Sequence, residues 1–249
     1  AARTSDAANE LETILMSSLN KKTSGDGVLT IPVGDGTVFQ DACANAAADE
    51  SARVVVIHLT GDREAVEPGA PALLAALGMP VVAGLSGRIE DRALELALAA
   101  DIRVCEPETT FAMMVSERGK LPSDGGTQRL PRVVGPGLAA DMLLIGRTIS
   151  AEEAFAAGLV TEIAAPRKAR QRADEIATAI AAHGRAASVF TKEAVLKGGD
   201  MPLEHALHLE ADLAILLHTD PERAEGIDAF KERRQPGFRP TPPGKDPET

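Results

Sequence analysis

Short β-branched runs alternate with helix-forming segments through the first half of the chain, and this alternation is the strongest constraint on the fold. The runs RVVVIHL (53–59) and PVVAGLSG (80–87) have the composition of strands buried on both faces of a parallel sheet. The segments TVFQDACANAAADES (37–51) and RALELALAA (92–100) are rich in alanine and have a helical period. This order predicts an α/β fold with a parallel sheet.

The rest of the pattern divides the chain into regions. VLTIPV (28–33), IRVCE (102–106) and TTFAMM (109–114) are predicted as further strands, and the sequence beyond Gly135 is mainly helical. Gly146, Gly158 and Gly184 occupy expected helix C-caps, and Ser150 with Glu153 forms a capping box. We therefore predict a loosely ordered extension (1–27), an α/β core (28–185), a C-terminal helical region for oligomerisation (186–238) and a disordered tail (239–249).

Composition excludes several classes of function. Lys and Arg total 26 against 37 Asp and Glu, and there is no Trp or Tyr, so we expect neither nucleic-acid nor membrane-surface binding. The apolar runs are too short to span a bilayer, and the first residues do not resemble a secretory signal, which predicts a cytoplasmic protein. Cys43, Cys105 and the five histidines have no metal-ligand spacing, so no metal site is expected.

Two carboxylates stand in unusual surroundings. Glu95 is flanked by leucines and alanines near a helix start, where it is either a solvated or dipole-interacting residue or a partly buried carboxyl suited to proton transfer. Asp124 precedes two glycines in PSDGGTQRLPRVVG (122–135). It is either the N-cap of the helix that starts near Thr127 or a carboxylate that faces Glu95.

Several of these stretches, in this order, resemble the enoyl-CoA hydratase/isomerase (crotonase) family. They are PVVAGLSG, ELALAADIRV (95–104), DGGTQRLPRVVG (124–135), GRTISAEEAFAAGLV (146–160) and, more loosely, AEGIDAFKERRQPGF (224–238). The resemblance implies a spiral of ββα repeats with a C-terminal helical region, and a homotrimer or dimer of trimers. It also implies acyl-CoA thioesters as substrates, with coenzyme A as part of the substrate and no other cofactor.

The same resemblance implies roles for acidic residues. Glu95 matches the first catalytic glutamate of the hydratases. Val115 stands where the second glutamate is expected, and Glu117, two residues further on, would share its side in an extended segment. Asp124 lies near the carboxylate that dienoyl-CoA-processing and ring-opening members use.

The resemblance also implies which residues stabilise the oxyanion and which bind the substrate. Arg92 replaces a glycine whose N–H enters the oxyanion hole, and the loop that gives the second N–H is shortened around Arg63. Gly126, in the glycine pair, allows the backbone to approach the substrate closely. Phe230 and Arg233 match positions that bind coenzyme A, often from a neighbouring subunit, and Arg63 and Arg92 are further candidates for contacts with its phosphates.

The predicted function is therefore that of an enoyl-CoA hydratase or isomerase. Two alternatives stay open on the sequence alone. EDRA (90–93) in place of the glycine turn, Val115 and the short loop fit a catalytically reduced subunit that binds an acyl-CoA or a partner. Asp124 fits a ring-opening or dienoyl-CoA variant.

Overall fold

The computed structural model describes residues 27–34, 36–61 and 66–238. The predicted extension up to residue 26 and the predicted tail from residue 239 lie outside the described residues. The strands of the described part are β1 (Val28–Ile31), β2 (Val54–Leu59), β3 (Val81–Leu85), β4 (Arg88–Glu90), β5 (Ile102–Cys105), β6 (Thr110–Ala112), β7 (Ile149–Ser150) and β8 (Glu162–Ile163).

Its helices are α1 (Gly36–Ala48), α2 (Ala70–Ala75), α3 (Arg92–Ala99), α4 (Gly126–Val134), α5 (Pro136–Ala140), α6 (Ala151–Ala156), α7 (Ala169–Ala181), α8 (Arg185–Gly198), α9 (Leu203–Leu217) and α10 (Pro221–Glu232). A 3₁₀ turn spans Val115–Arg118, and a π-helical turn spans Asp141–Ile145. The capping box of α6 is confirmed, because Ser150 and Glu153 exchange side-chain and backbone hydrogen bonds. The C-cap prediction is wrong at Gly184, which has a φ of −59° and is the N-cap of α8.

The core is a five-stranded parallel sheet in the order β1-β2-β3-β5-β8. Alternate side chains of β2 point to opposite faces, as a pleated strand requires. Val55 and Ile57 pack in the main core, whereas Val54 and Val56 pack against the alanines of α7. Both faces are covered, which explains why the strand sequences are almost continuously apolar and confirms the predicted parallel α/β architecture.

A second sheet of three strands, in the order β4-β6-β7, positions the candidate site. β3, β4 and α3 form one ββα unit, and β5, β6 and α4 form the next, with the first strand of each in the large sheet and the second in the small one. β4 and β6 are parallel, and Glu90 pairs with Ala112 at their ends. The residues that leave these two strands, Asp91 and Met113, therefore emerge side by side.

Buried cations attach the C-terminal helices to the sheet layer. Arg53 donates to the carbonyl oxygens of His183 and Phe238 and forms an ion pair with Glu222 at 2.8 Å. Its own backbone N–H donates to the carbonyl oxygen of Gly27 at 2.9 Å. The guanidinium of Arg53 thus joins the start of β2 to three residues of the C-terminal part, and the backbone N–H of Arg53 joins the same strand to Gly27.

Candidate active site

Glu95 lies on α3, a helix that is buried on nearly all sides. Glu95 is 3 % exposed, so the interpretation as a solvated residue is wrong. Its Oε1 accepts hydrogen bonds from the backbone N–H groups of Asp124 and Gly126, at 2.8 Å each. Its Oε2 accepts no hydrogen bond within the described part of the chain. The carboxyl group is therefore held firmly through one oxygen while the other stays available.

The glycine pair explains how two N–H groups reach one oxygen atom. Gly125 has a φ of 106°, a left-handed value that favours glycine, and it starts the turn into α4. A Cβ atom on Gly126 would lie 2.9 Å from Cβ of Pro122 and 3.1 Å from Oε1 of Glu95. The loop therefore needs glycine at both positions, and it is shaped to hold the Glu95 carboxyl group.

Asp124 does not cap α4. The N-cap residue is Gly125, and no side chain caps the helix, so the N-cap interpretation is wrong. Oδ1 of Asp124 accepts from the N–H of Gly69 at 2.9 Å, and Oδ2 pairs with Nε of Arg92 at 3.2 Å. Asp124 thus contacts Glu95 through its backbone N–H, while its carboxylate is directed towards Arg92.

Arg92 is the first residue of α3. Its guanidinium binds Asp124 and donates to the carbonyl oxygen of Val66 at 3.2 Å, and its side chain is 36 % exposed. Its backbone N–H belongs to the first turn, where a helix offers no internal acceptor. The side chain is therefore occupied by a neighbouring carboxylate, and the N–H is available to a ligand.

A cavity of about 630 Å³ opens beside Glu95. Acidic, basic and apolar side chains share its wall, which consists of Glu90, Asp91, Arg92, Glu95, Val115, Arg118, Lys120, Leu121, Pro122 and Ser123. Glu90 pairs with Arg88, and Asp91 pairs with Arg118. Among the described acidic residues of this wall, Glu95 alone has no cationic partner.

Glu117 is not part of this wall. The segment after β6 is a 3₁₀ turn rather than the extended chain expected, so Glu117 does not share the side of Val115. Its carboxylate packs against Gly146, and the residue is exposed. The turn ends at Gly119, whose φ of 64° reverses the chain direction.

The predicted coenzyme A residues are not brought to Glu95 within one chain. Phe230 is 84 % exposed and lines a different groove, between the C-terminal helices. Arg233 is exposed at the end of α10. Arg63 lies outside the described residues.

Sequence reasoning missed Asp91 and Arg118. Asp91 precedes α3 and has the residue type of an N-cap, yet its side chain makes no capping bond. Its carboxylate instead accepts from the N–H of Met114 at 2.6 Å and pairs with Arg118. Asp91 could have been identified from the sequence, because it is a charged residue in the turn where the enoyl-CoA hydratase/isomerase family has glycines.

Comparison with known proteins places the chain in a family. A family model described as enoyl-CoA hydratase/isomerase matches residues 63–241. The chain belongs to the enoyl-CoA hydratase/isomerase family. A solved enoyl-CoA hydratase from Bacillus anthracis superposes on the chain with a TM-score of 0.78 at 26 % identity, covering 86 % of this chain and 96 % of that one. The predicted crotonase fold is confirmed.

Curated members of the enoyl-CoA hydratase/isomerase family match the chain over part of their length. An (E)-benzylidenesuccinyl-CoA hydratase from Thauera aromatica is 38 % identical over 160 residues, which are 64 % of this chain and 62 % of that protein. A crotonyl-CoA hydratase from Syntrophomonas wolfei is 34 % identical over 166 residues, 67 % of this chain and 64 % of that protein. The matched part is thus slightly less than two thirds of these relatives.

The described residues contain no cluster of three or more His, Cys, Asp or Glu side chains that could hold a metal ion. Among the described helices, none combines the length and apolar character that crossing a bilayer requires.

Proposed function

We propose that the protein hydrates enoyl-CoA thioesters and that Glu95 is its acid–base residue. The observation that carries this proposal is the fixed carboxyl group, with one oxygen bound by two N–H groups and the other available to a cavity large enough for an acyl group. Family membership and relatives that are named hydratases support it.

In the proposed reaction, Glu95 takes a proton from water as the hydroxide oxygen bonds to C3 of the enoyl group. The electron pair of the C2–C3 double bond moves towards the thioester, whose oxygen becomes an enolate oxygen. The N–H of Arg92 donates to this oxygen, which is the role of an oxyanion-hole donor. Glu95 then returns its proton to C2 and the carbonyl group re-forms, so atoms and charge balance.

One carboxyl group serves both proton transfers in this scheme. Val115 occupies the position of the second glutamate, and Glu90 and Asp91 are engaged with arginines. Isomerisation of a 3-enoyl thioester is a second candidate, because one base could move a proton from C2 to C4 without water. No cofactor is proposed besides the coenzyme A of the substrate, since the base and the N–H donor belong to the chain.

Assembly and location complete the proposal. We propose a homotrimer or a dimer of trimers, since α8 and α9 expose apolar side chains, including Val195, Leu203 and Ile215, at 68 %, 74 % and 63 %. In such an assembly, Phe230 and Arg233 would serve the cavity of a neighbour. We also propose a cytoplasmic location, supported by the free thiols of Cys43 and Cys105.

The test compares three thioesters on the purified chain. Crotonyl-CoA should give 3-hydroxybutanoyl-CoA, and saturated butanoyl-CoA should bind in calorimetry without reacting. A 3-enoyl-CoA that is converted to the 2-enoyl isomer while crotonyl-CoA is left unchanged would replace hydration with isomerisation. Binding of all three without any product would overturn both proposals.

A further inference from the structure

The backbone at Asp91 has a conformation that side-chain-bearing residues rarely adopt. Its φ and ψ are 49° and −117°. These are close to the angles of the first central residue of a type II′ turn, a position that favours glycine. Left-handed residues with side chains normally have a ψ near about 47° instead. The surrounding structure must therefore hold Asp91 in place.

This conformation determines where the N–H of Arg92 points. The N–H of Arg92 and the carbonyl group of Asp91 belong to one trans peptide, so they point in opposite directions. The carbonyl oxygen of Asp91 accepts from the N–H of Glu95 at 2.9 Å, inside the first turn of α3. The N–H of Arg92 consequently points out of the helix start, where Asp91, Arg92 and Glu95 border the cavity.

Contacts with β6 and the turn after it hold Asp91. Its N–H donates to the carbonyl oxygen of Ala112 at 3.1 Å, and its Oδ1 accepts from the N–H of Met114 at 2.6 Å. Its Oδ2 pairs with Arg118, and the Asp91 side chain is 13 % exposed. The backbone and the carboxylate of Asp91 are thus bound on the side opposite to the helix.

Without the side-chain contacts, a second conformation becomes accessible. A rotation of ψ by roughly 160° would bring Asp91 into the ordinary left-handed region, which aspartate tolerates. Combined with an opposite rotation of φ at Arg92, which leaves the rest of α3 in place, it would reverse the peptide between Asp91 and Arg92 and break the hydrogen bond from the N–H of Glu95. The carbonyl oxygen would then face the cavity, and the N–H would be withdrawn from it.

We propose that Asp91 is a positioning residue whose carboxylate, bound by Met114 and Arg118, keeps the Arg92 N–H directed into the cavity. The inference deepens the proposed function and rests on it, because it assigns the means by which the oxyanion donor is held. Asp91 acts through the peptide bond and needs no contact with the substrate.

Three substitutions separate this role from a general structural one. Asp91→Ala loses both side-chain contacts, and alanine at this position disfavours the observed φ and ψ angles. We therefore expect kcat to fall about tenfold or more. The loss of an oxyanion donor typically lowers kcat by about 10²–10³-fold. Asp91→Gly loses the contacts but adopts the observed angles without strain, so we expect kcat within about fivefold of the parent. Asp91→Asn keeps the acceptor for Met114 and should lie close to the glycine variant.

A spectroscopic measurement gives a readout apart from turnover. A conjugated aryl-enoyl-CoA should show a red shift in absorption on binding when its carbonyl group is polarised by the N–H donor. We expect this shift to weaken in Asp91→Ala and to persist in Asp91→Gly, with similar affinity in both. Equal losses in the alanine and glycine variants, or no loss in either, would overturn the proposal.

Crystal structures of the parent and Asp91→Ala keep this test independent of the proposed function. We expect the peptide between residues 91 and 92 to be reversed in the alanine variant. A peptide that is not reversed would overturn the inference whether or not the parent is active. If the parent hydrates no thioester and the peptide is nevertheless reversed, the proposed function fails and the positioning role stands. Thermal unfolding verifies that each variant is folded. If Asp91→Ala is not, Arg118→Gln removes the ion pair and leaves Asp91 in place, so we expect it to weaken the red shift, and an unchanged shift would overturn the proposal.

Discussion

Glutamine at position 95 would change the chemistry of the site while keeping its shape, and the surrounding N–H groups dictate its orientation. Oε1 of Glu95 faces the N–H groups of Asp124 and Gly126, at 2.8 Å each. An amide NH₂ group cannot accept from them, so the glutamine oxygen must occupy this position and the NH₂ group must face the cavity. Two charge-assisted hydrogen bonds become neutral ones, at a cost of roughly 1 kcal/mol each. The melting temperature should therefore fall by roughly 4–8 °C.

The effect on turnover should be much larger than the effect on stability. An amide cannot take a proton from water, and general acid–base catalysis typically contributes about 10²–10⁴-fold. We expect Glu95→Gln to lower kcat for crotonyl-CoA by that factor, measured as the loss of enoyl-thioester absorbance. The Kd for butanoyl-CoA, measured by calorimetry, should change less than about threefold. A glutamine variant with the parent's kcat would refute the assignment of Glu95.

Two further variants control this experiment. Glu117→Gln makes the same chemical change on an exposed residue outside the cavity wall, and its kcat should equal that of the parent. Glu95→Ala leaves two N–H groups without their acceptor, at about 1–3 kcal/mol each. We therefore expect Glu95→Ala to be much less stable than Glu95→Gln.

Three other predictions follow from glycine packing, a histidine and two thiols. In Gly126→Ala the new methyl carbon would lie 2.9 Å from the nearest side-chain carbon, so we expect kcat and melting temperature to fall, whereas Gly137→Ala, with open space at its Cβ, should be neutral. Burial lowers the pKa of His58 below 6.5 despite a nearby carboxylate, so the unfolded chain binds the extra proton first and stability should decline as pH falls below 6.5. Denaturant titrations across this range should show that His58→Leu lacks that part of the decline. Burial raises the pKa values of the Cys43 and Cys105 thiols to about 11 each, so mass spectrometry should find alkylation at pH ~8 slow in the native protein and fast in denaturant.

The predictability of the fold depended on element length. β2 and β3 have six and five residues in predominantly apolar runs, and both were predicted from the sequence. β7 and β8 have two residues each, which is too short for a periodic pattern. The three residues of β6 were recognised because the segment TTFAMM extends beyond them, whereas β4, of the same length, has a charged residue at each end. The strands β4, β7 and β8 form because a neighbouring strand supplies their hydrogen bonds. The neighbouring strand is distant in the sequence, so the local sequence does not predict them.

The candidate site shows the same limit. The order of motifs indicated Glu95 and the glycine pair, but not that the pair donates two N–H groups to the carboxyl oxygen. Local rules allowed Asp124 to be either an N-cap or a carboxylate that faces Glu95, but in the structure the N-cap is Gly125, which has a left-handed φ. Extended geometry was assumed for Glu117, but the chain turns immediately after β6. Each error came from a backbone conformation set by tertiary contacts.

The contacts of Arg53 suggest that the segments of the chain could be connected in a different order. Gly27 and Phe238, the first and last described residues, both contact Arg53, through its backbone N–H and its side chain respectively. They are therefore close in space, although almost all of the described chain lies between them in the sequence. A chain shortened to residues 27–238 would therefore have its two ends close together, which is the condition under which circular permutation is tolerated. A linker of a few residues from Phe238 to Gly27 would permit new chain ends elsewhere, such as the exposed turn at Gly199, without altering the Glu95 cavity.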